Sequence, residues 1–237
     1  MKKAKAIIGN FRVVSLILLN DLGLLDYSSK FEKPFTVGLA KTKDIEYITG
    51  RDSPHKTVWS DSGTIKGGNW DQSEQLFTDN SEWYESFIQR YEEGQDWKDT
   101  KAFKRREEKI KNGGELSGKL SSTEDLLDYC QDMDGIYEDI KNNGYKIQPE
   151  INGKASPKGR KILPFKNKYH EVAVDVSRDG DLLFVDGRHR LAFAKLLNVE
   201  KIPVRTVVRH EEFVRNNREI EIEPISHKYG HPLIPNI

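Results

Sequence analysis

The chain has 237 residues, of which 36% are hydrophobic and 32% charged, a composition typical of soluble globular proteins with one large or two small domains. The 38 basic and 38 acidic side chains give a net charge of zero, which argues against capture of nucleic acid by overall charge, although a local basic patch could still bind it. Cys130 is the single cysteine, which excludes a disulfide framework and a cysteine metal cluster. We expect it to be a small buried residue on a helix, in a protein of the reducing cytoplasm.

The first 33 residues predict an amphipathic helix or a pair of helices. Apolar residues recur there at helical spacing, namely Ile7, Phe11, Val14, Leu18, Leu22 and Leu25. The uninterrupted apolar run from Leu16 to Leu19 is far shorter than the ~20 residues of a membrane span, and no small-residue cleavage site follows it. We therefore expect no transmembrane segment, and we favour a helix docked on the protein over one that lies on a membrane surface.

Residues 34–122 combine a first strand, near Phe35 to Leu39, with a helical insert. Residues 67–71, Gly-Gly-Asn-Trp-Asp, predict a turn rather than a phosphate loop, because no Gly-Lys-Ser/Thr follows them. Two helices are expected between residues 73 and 111, with an aromatic face that includes Trp83 and Phe87 and continues to Trp97. The second helix is expected to carry a basic face, which is either solvated or, as the alternative, in contact with nucleic acid. That face consists of Lys101, Lys104, Arg105, Arg106, Lys109 and Lys111.

Residues 122–168 predict two short helices, then a strand and a loop. The helices are expected at 123–131 and 134–142, with Ser122 as the N-cap, Asp125 three residues on, and Gly144 at the end. The strand is expected at 146–151. The loop 152–168 contains six cations and no acidic residue, so it is either a surface loop or a flap that attracts anions.

The strongest functional signal is a strand, a sharp turn and a helix at residues 182–197. The strand Leu182–Val185 follows a second strand at 171–176 and a hairpin turn at 178–180. Gly187 can adopt the backbone angles of a tight turn, and the helix is expected to begin near Arg188. A further strand is predicted at 202–208, and residues 211–237 predict a short charged helix and an irregular tail.

The turn itself, Asp186-Gly187-Arg188-His189-Arg190, concentrates charge at the start of this helix. Backbone N–H groups and the positive end of the helix dipole meet there, so the sequence predicts an anion site, most naturally for phosphate. The alternative is that Asp186 and Arg190 form only a structural ion pair across the turn. His227 and His231 are four residues apart, but the intervening glycine and the following proline disfavour a zinc site on a helix.

Four separated segments of the chain resemble the ParB/sulfiredoxin-like superfamily. They are the helix at 136–145, the Gln-Pro-Glu-Ile stretch at 148–151, the turn at 186–190 and the Lys-Ile-Pro-Val-Arg strand at 201–205, in the order and spacing of that family. The resemblance implies an α+β fold, a small mixed sheet with packed helices, with its core at 123–210. Three segments would surround that core: the N-terminal amphipathic segment 1–33, the first strand plus helical insert 34–122, and the C-terminal helix and tail 211–237. The helical insert is similar to an insert in uncharacterised archaeal members of the family.

The same resemblance implies a nucleotide site. In similar proteins this loop and helix N-terminus hold the phosphates of CTP, ATP or ADP. Carried over to this chain, phosphate would be contacted by Gly187, Arg188, His189 and Arg190. Asp186 matches an acidic residue that binds a metal, here Mg²⁺, or serves catalysis. Glu150 is the candidate second catalytic carboxylate, because it follows a strand start that faces this site in similar folds.

Two departures from the family narrow the expected function. Arg188 occupies the position of the reactive cysteine of sulfiredoxin, so reduction of a sulfinic acid is not expected. The 27 residues after His210 are too few for the helix-turn-helix modules of partitioning proteins. We therefore expect a cytoplasmic, Mg-dependent phosphotransferase or NTPase with a small-molecule or protein acceptor. The alternative is a nucleotide-sensing or DNA-associated module without turnover, and nucleic acid is the less favoured partner class.

Overall fold

The computed structural model describes residues 13–19, 34–114, 116, 120–148, 169–216 and 223–224. The described helices are α1 (13–19), α2 (Pro54–Thr57), α3 (Phe77–Asn80), α4 (Glu82–Tyr91), α5 (Lys101–Lys111), α6 (Thr123–Asn143), α7 (Arg188–Leu196) and α8 (Glu211–Arg215). The described strands are β1 (Val37–Lys41), β2 (Thr64–Lys66), β3 (Val172–Val176), β4 (Leu182–Asp186), β5 (Lys201–His210) and β6 (Glu223–Pro224). A mixed sheet with helices packed on it confirms the predicted α+β class.

The sheet is built around β5. Its strand order is β4-β3-β5-β1-β6, and β2 lies beside the second half of β5 on the same edge as β1. β3 pairs with β5 in parallel, whereas β3 and β4 form the predicted antiparallel hairpin, whose turn contains Gly180 at φ 98°. The hairpin therefore places the end of β4, and the turn that follows it, at one end of the sheet.

Both faces of the sheet are covered. The predicted alternation in β3 holds, because Val172, Val174 and Val176 lie in the main core with the aromatic residues of the helices. Ala173 lies in a second core on the opposite face, together with Val185. All five residues of β3 are buried, so this strand is central to both layers.

Helix α6 is one continuous helix of 21 residues, and the prediction of two short helices was wrong. Its buried residues Leu126, Cys130, Met133 and Tyr137 recur at intervals of three or four, so one apolar stripe runs through the expected break. Gly135 alone does not interrupt the hydrogen-bond ladder. The predicted ends are confirmed, with a capping box at Ser122 and a left-handed Gly144 at φ 77°.

The insert packs against α6 and α7 through its aromatic face. Phe87 stacks on Phe193 of α7, with ring centroids 4.3 Å apart, and Tyr91 stacks on Tyr137 of α6 at 3.7 Å. Asp134 of α6 also accepts hydrogen bonds from three insert side chains, those of Arg90, Tyr91 and Trp97. The insert is therefore part of the core and forms a wall next to the 186–190 turn.

The basic face of α5 is largely neutralised by acidic neighbours. Lys101 pairs with Glu85 at 2.7 Å and Arg105 pairs with Glu82 at 2.7 Å. A third pair joins Lys111 to Glu107 one turn away. These exposed pairs agree with the prediction of a solvated helix face.

Two other predictions fall on segments that lie partly or wholly outside the described residues. The strand expected at 146–151 is not a strand over the described part, 146–148, and the rest lies outside the described residues. The basic loop 152–168, His227 and His231 also lie outside them. Among the helices that the structure describes, none combines the length and the apolar character needed to cross a membrane.

Candidate functional site

The predicted turn between strand and helix is present, and its backbone requires a glycine. Gly187 has φ 94° and ψ 30°, and a Cβ there would lie 3.1 Å from the Cα of Val172. The N–H of Gly187 donates to Oδ1 of Asp186 at 2.8 Å. Helix α7 begins at Arg188, and Gly187 provides no side-chain cap, as at helix N-termini that bind phosphate through backbone N–H groups.

All five turn residues line one cleft with a volume of about 1260 Å³. The described lining includes the cations Arg51, Arg105, Arg106, Lys109, Arg188, Arg190 and Arg205. Its carboxylates are Glu82, Glu108, Glu171 and Asp186. Although the whole chain is neutral, the cleft therefore has an excess of positive charge, which favours an anionic ligand.

Arg188 is exposed on the cleft wall near an arginine of the insert. Burial lowers the pKa of Arg106, and the positive charge of Arg188 acts in the same direction. Glu82 opposes this effect through a hydrogen bond of 3.0 Å from Arg106. The loop and the insert thus bring two guanidinium groups close enough to repel each other, and an anion bound between them would relieve that repulsion.

His189 belongs to an aromatic cluster rather than to the open part of the cleft. Its ring lies edge to face with Trp83 of α4, with centroids 4.9 Å apart, and 6.0 Å from Phe87. The hydroxyl of Tyr129 lies 3.4 Å from its Nε2. Contacts with α4 and α6 therefore set the orientation of this side chain.

Arg190 is buried beneath the turn and pairs with an acidic residue that the sequence analysis did not select. Its Nη1 donates to Oε2 of Glu171 at 3.1 Å, and the backbone N–H of Gln148 donates to Oε1 of the same carboxylate at 2.7 Å. The alternative ion pair between Asp186 and Arg190 is not formed in the described part of the chain, where Arg190 pairs with Glu171. The side chains of Arg188, His189 and Arg190 all line the cleft, where Arg188 is exposed and His189 packs on Trp83.

A register shift at the end of β4 positions Asp186. Phe184 pairs with Val174 of β3, but Asp186 pairs with Ala173, so the strand contains one extra residue at this point. Bulges of this kind redirect side chains. This one brings Asp186 to the face of the sheet that carries Ala173, and Ala173 in turn pairs with Arg205 of β5.

The chain has no match among protein-family models, curated proteins or solved structures. The chemistry of the cleft therefore rests on its own residues. In the part of the chain that the structure describes, no group of three or more histidine, cysteine, aspartate or glutamate side chains could hold a metal ion. Asp186 alone could still fit Mg²⁺, because this ion commonly takes one or two carboxylates together with phosphate oxygens and water. Glu150, the predicted second carboxylate, lies outside the described residues.

Four arginines of the cleft come from outside the predicted turn, namely Arg51, the insert residues Arg105 and Arg106, and Arg205. Arg51 donates to both oxygens of Asp175, at 2.6 and 3.0 Å, and to Asp61 at 2.9 Å. Burial raises the pKa of Asp175, and Arg51 opposes that effect. Arg106 comes from the insert and Arg205 from β5. The sequence contained a signal for Arg205, a charged residue within the apolar strand 202–208, but none that placed Arg51 or Arg106 beside the turn.

Proposed function

We propose that this cleft binds a nucleotide through its phosphates, and that the protein is a Mg-dependent phosphotransferase or NTPase related to the ParB/sulfiredoxin-like superfamily. The observation that carries the proposal is the position of the turn. Residues 186–190 lie together at a helix N-terminus without a side-chain cap, inside a large cleft whose charged lining residues are mainly cations. We also propose that the nucleotide is ATP, ADP or CTP, and that the protein is located in the cytoplasm.

Phosphate binding would use both backbone and side chains. The first turn of α7 would direct its N–H groups toward the phosphate, as helix N-termini do in other phosphate sites. Arg188 and Arg106 line the same cleft and would bind phosphate oxygens from two sides. Arg190 lies under the turn and would add positive charge while bonded to Glu171.

Asp186 is the proposed catalytic carboxylate. It is partly exposed at the cleft and directly precedes the phosphate-binding turn, so it can reach both the phosphate region and a nucleophile bound beside it. Bound Mg²⁺ would neutralise charge on the phosphate oxygens. Asp186 would bind that ion or accept the proton of the attacking hydroxyl or water. Glu150 remains a predicted second carboxylate on the basis of the family resemblance.

Calorimetric titration with ATP, ADP and CTP, with and without Mg²⁺, tests binding, and phosphate release tests turnover. Arg188→Ala is expected to weaken binding about tenfold or more, because it removes a charged partner of the phosphates. Asp186→Asn is expected to retain binding and lose turnover. Lys104→Ala is the matched control, since Lys104 is an exposed cation of α5 that pairs with Asp99 and does not line the cleft. Absence of binding to all three nucleotides would contradict the proposal.

A second candidate, a nucleotide sensor without turnover, is favoured by one observation. His189 packs edge to face with Trp83, and Arg106 lies over the ring of the same tryptophan, 4.3 Å from its centroid. A ligand that moves the turn would therefore also move the insert. Binding without release or transfer of phosphate, together with altered hydrogen exchange in α4 and α5, would identify the sensor.

A further inference from the structure

Arg205 is a buried cation without a carboxylate partner among the described residues. Only 2% of the residue is exposed. Its Nη1 donates to the carbonyl of Val58 at 3.2 Å and to the hydroxyl of Ser62, and its guanidinium lies 4.5 Å from the ring centroid of Trp59. In the part of the chain that the structure describes, its buried Nε has no hydrogen-bond partner. All of these protein contacts are neutral, so within the described residues no acidic side chain neutralises this charge by direct contact.

Three other buried or half-buried arginines of this part of the protein have acidic partners. Arg51 pairs with Asp175 at 2.6 Å, Arg190 with Glu171 at 3.1 Å, and Arg178 with Asp71 at 2.8 Å. This contrast matters because a charge removed from water is costly unless it is paired and hydrogen-bonded. A guanidinium that lines a cleft and has no carboxylate partner among the described residues is therefore suited to an external oxyanion.

Arg205 lies two strands across the sheet from Asp186, the proposed catalytic carboxylate. Ala173 of β3 pairs with Asp186 on one side and with Arg205 on the other, so the three residues form a row across adjacent strands. The backbones of the two outer residues are separated by two strand spacings, about 10 Å. Ala173 lies between them and is among the residues that line the cleft.

The charge environment agrees with this arrangement. Burial lowers the pKa of Arg205 to about 10, and the nearby negative charge of Asp186 opposes the shift. Arg205 is therefore still protonated at neutral pH. Asp186 is close enough to affect Arg205 through space, but it is not among the hydrogen-bond partners of that side chain.

We propose that Arg205 binds an oxyanion, a carboxylate or a phosphate, of the acceptor substrate and thereby holds the acceptor across Ala173 from Asp186. The acceptor role rests on the proposed function, whereas oxyanion binding does not. In transfer from a nucleoside triphosphate, the acceptor hydroxyl oxygen bonds to the γ-phosphorus and the bond from that phosphorus to the β,γ-bridging oxygen breaks. The nucleoside diphosphate leaves, and the hydroxyl proton passes to Asp186. The subsite thus selects small hydroxyl compounds that carry a negative charge.

The subsite is tested by titrating the full chain with inorganic phosphate and, separately, with succinate, followed by calorimetry. Arg205→Met is expected to weaken binding of the preferred probe about tenfold or more, because the buried donor and its charge are lost. Arg205→Lys should weaken it less, since charge is retained without the planar donor geometry. Lys201→Met is the control, because Lys201 begins the same strand and does not line the cleft. If Arg205→Met does not fold, the test depends on Arg205→Lys, for which we expect at least a threefold loss of affinity for the preferred probe.

Parallel titrations with ADP and Mg²⁺ separate this inference from the proposed function. Arg205→Met should leave ADP binding within about twofold, and Arg188→Ala should leave binding of the small oxyanion, measured with saturating ADP and Mg²⁺ present, within the same range. Preference for phosphate or for succinate identifies the acceptor group, and either result supports the subsite. The inference is overturned if neither probe binds, if binding is unchanged in a folded Arg205 variant, or if Arg188→Ala removes it instead. Oxyanion binding without nucleotide binding would refute only the proposed function.

Discussion

Trp83 of the insert and His189 of the turn meet edge to face, with ring centroids 4.9 Å apart and an angle of 84° between the planes. Arg106 lies over the ring of Trp83, 4.3 Å from the ring centroid. An edge-to-face contact and a cation–π contact on one buried indole connect α4, α5 and α7. The insert therefore forms part of the cleft and fixes the side chain of His189, next to the position at which we propose that phosphate binds.

Replacing Trp83 by leucine should destabilise the protein by ~3 kcal/mol, because it removes a large buried aromatic side chain and both ring contacts. The same change should weaken nucleotide binding severalfold, since His189 and Arg106 lose the ring that positions them. Urea unfolding and nucleotide titration measure the two effects. Tyr84→Leu is the control on the same helix, because Tyr84 packs against Phe77 instead of the turn. Equal effects of both variants on binding would show that Trp83 has no special connection to the site.

Asp71 provides a second, pH-dependent prediction. Burial opposes ionisation of Asp71, but the hydrogen bonds from the side chain and backbone N–H of Arg178, together with smaller contributions such as that of His210, outweigh burial and lower the pKa of Asp71 to about 2. Because the pKa is lower in the folded protein than in the unfolded chain, its stabilisation is complete above pH ~4 and is lost as the pH falls toward 2. Asp71→Asn should therefore cost ~2 kcal/mol at pH 7 and much less at pH 2.

The free energy of unfolding of both proteins, measured between pH 7 and pH 2, checks this prediction. Asp79→Asn is a suitable control, because Asp79 is in exposed surroundings and bonds only to the neighbouring Thr78 hydroxyl. A difference between Asp71→Asn and the parent that is constant with pH would mean that the carboxylate is not ionised preferentially in the folded state. The contact also explains the Gly-Gly-Asn-Trp-Asp turn, since Asp71 attaches that turn to the β3–β4 hairpin.

Local sequence signals predicted the strands and helix ends well, and long-range partners poorly. The turn at Gly187 and the capping box at Ser122 depend on residues adjacent in sequence, and both are present. The sequence offered Asp186, four residues away, as an alternative partner of Arg190, but the partner is Glu171 on a neighbouring segment. Burial of Arg190 required a carboxylate inside the protein, and only the folded sheet determines which one is within reach.

Cys130 gives a prediction about chemical reactivity. The side chain is fully buried on α6, as expected from sequence, and burial raises the pKa of its thiol to about 12. Because the thiolate is the reactive form, Cys130 should resist alkylation by iodoacetamide at pH 8 in the folded protein and react readily in guanidinium chloride. Mass spectrometry of the intact chain measures the extent of modification. Rapid alkylation of the folded protein would indicate that α6 opens locally.

Glu171→Gln tests whether Arg190 can also serve the ligand. The amide keeps the size of the side chain but removes the charge that neutralises Arg190, so the variant should be less stable by ~3 kcal/mol. The same loss of negative charge should increase the affinity for ADP severalfold, because Arg190 would then contribute its full charge to a phosphate at the turn. Arg190→Met should have the opposite effect on affinity.

Unfolding and ADP titration of both variants separate the two roles of the pair. Glu200→Gln is the control, since Glu200 is an exposed acid outside the cleft. If Glu171→Gln lowers stability and leaves ADP affinity unchanged, Arg190 acts only as a support beneath the turn. In that case phosphate binding would depend on the backbone of α7, Arg188 and Arg106. An increase in affinity would instead mean that Glu171 competes with the nucleotide for Arg190, because the carboxylate and the phosphate cannot both take the same guanidinium nitrogens.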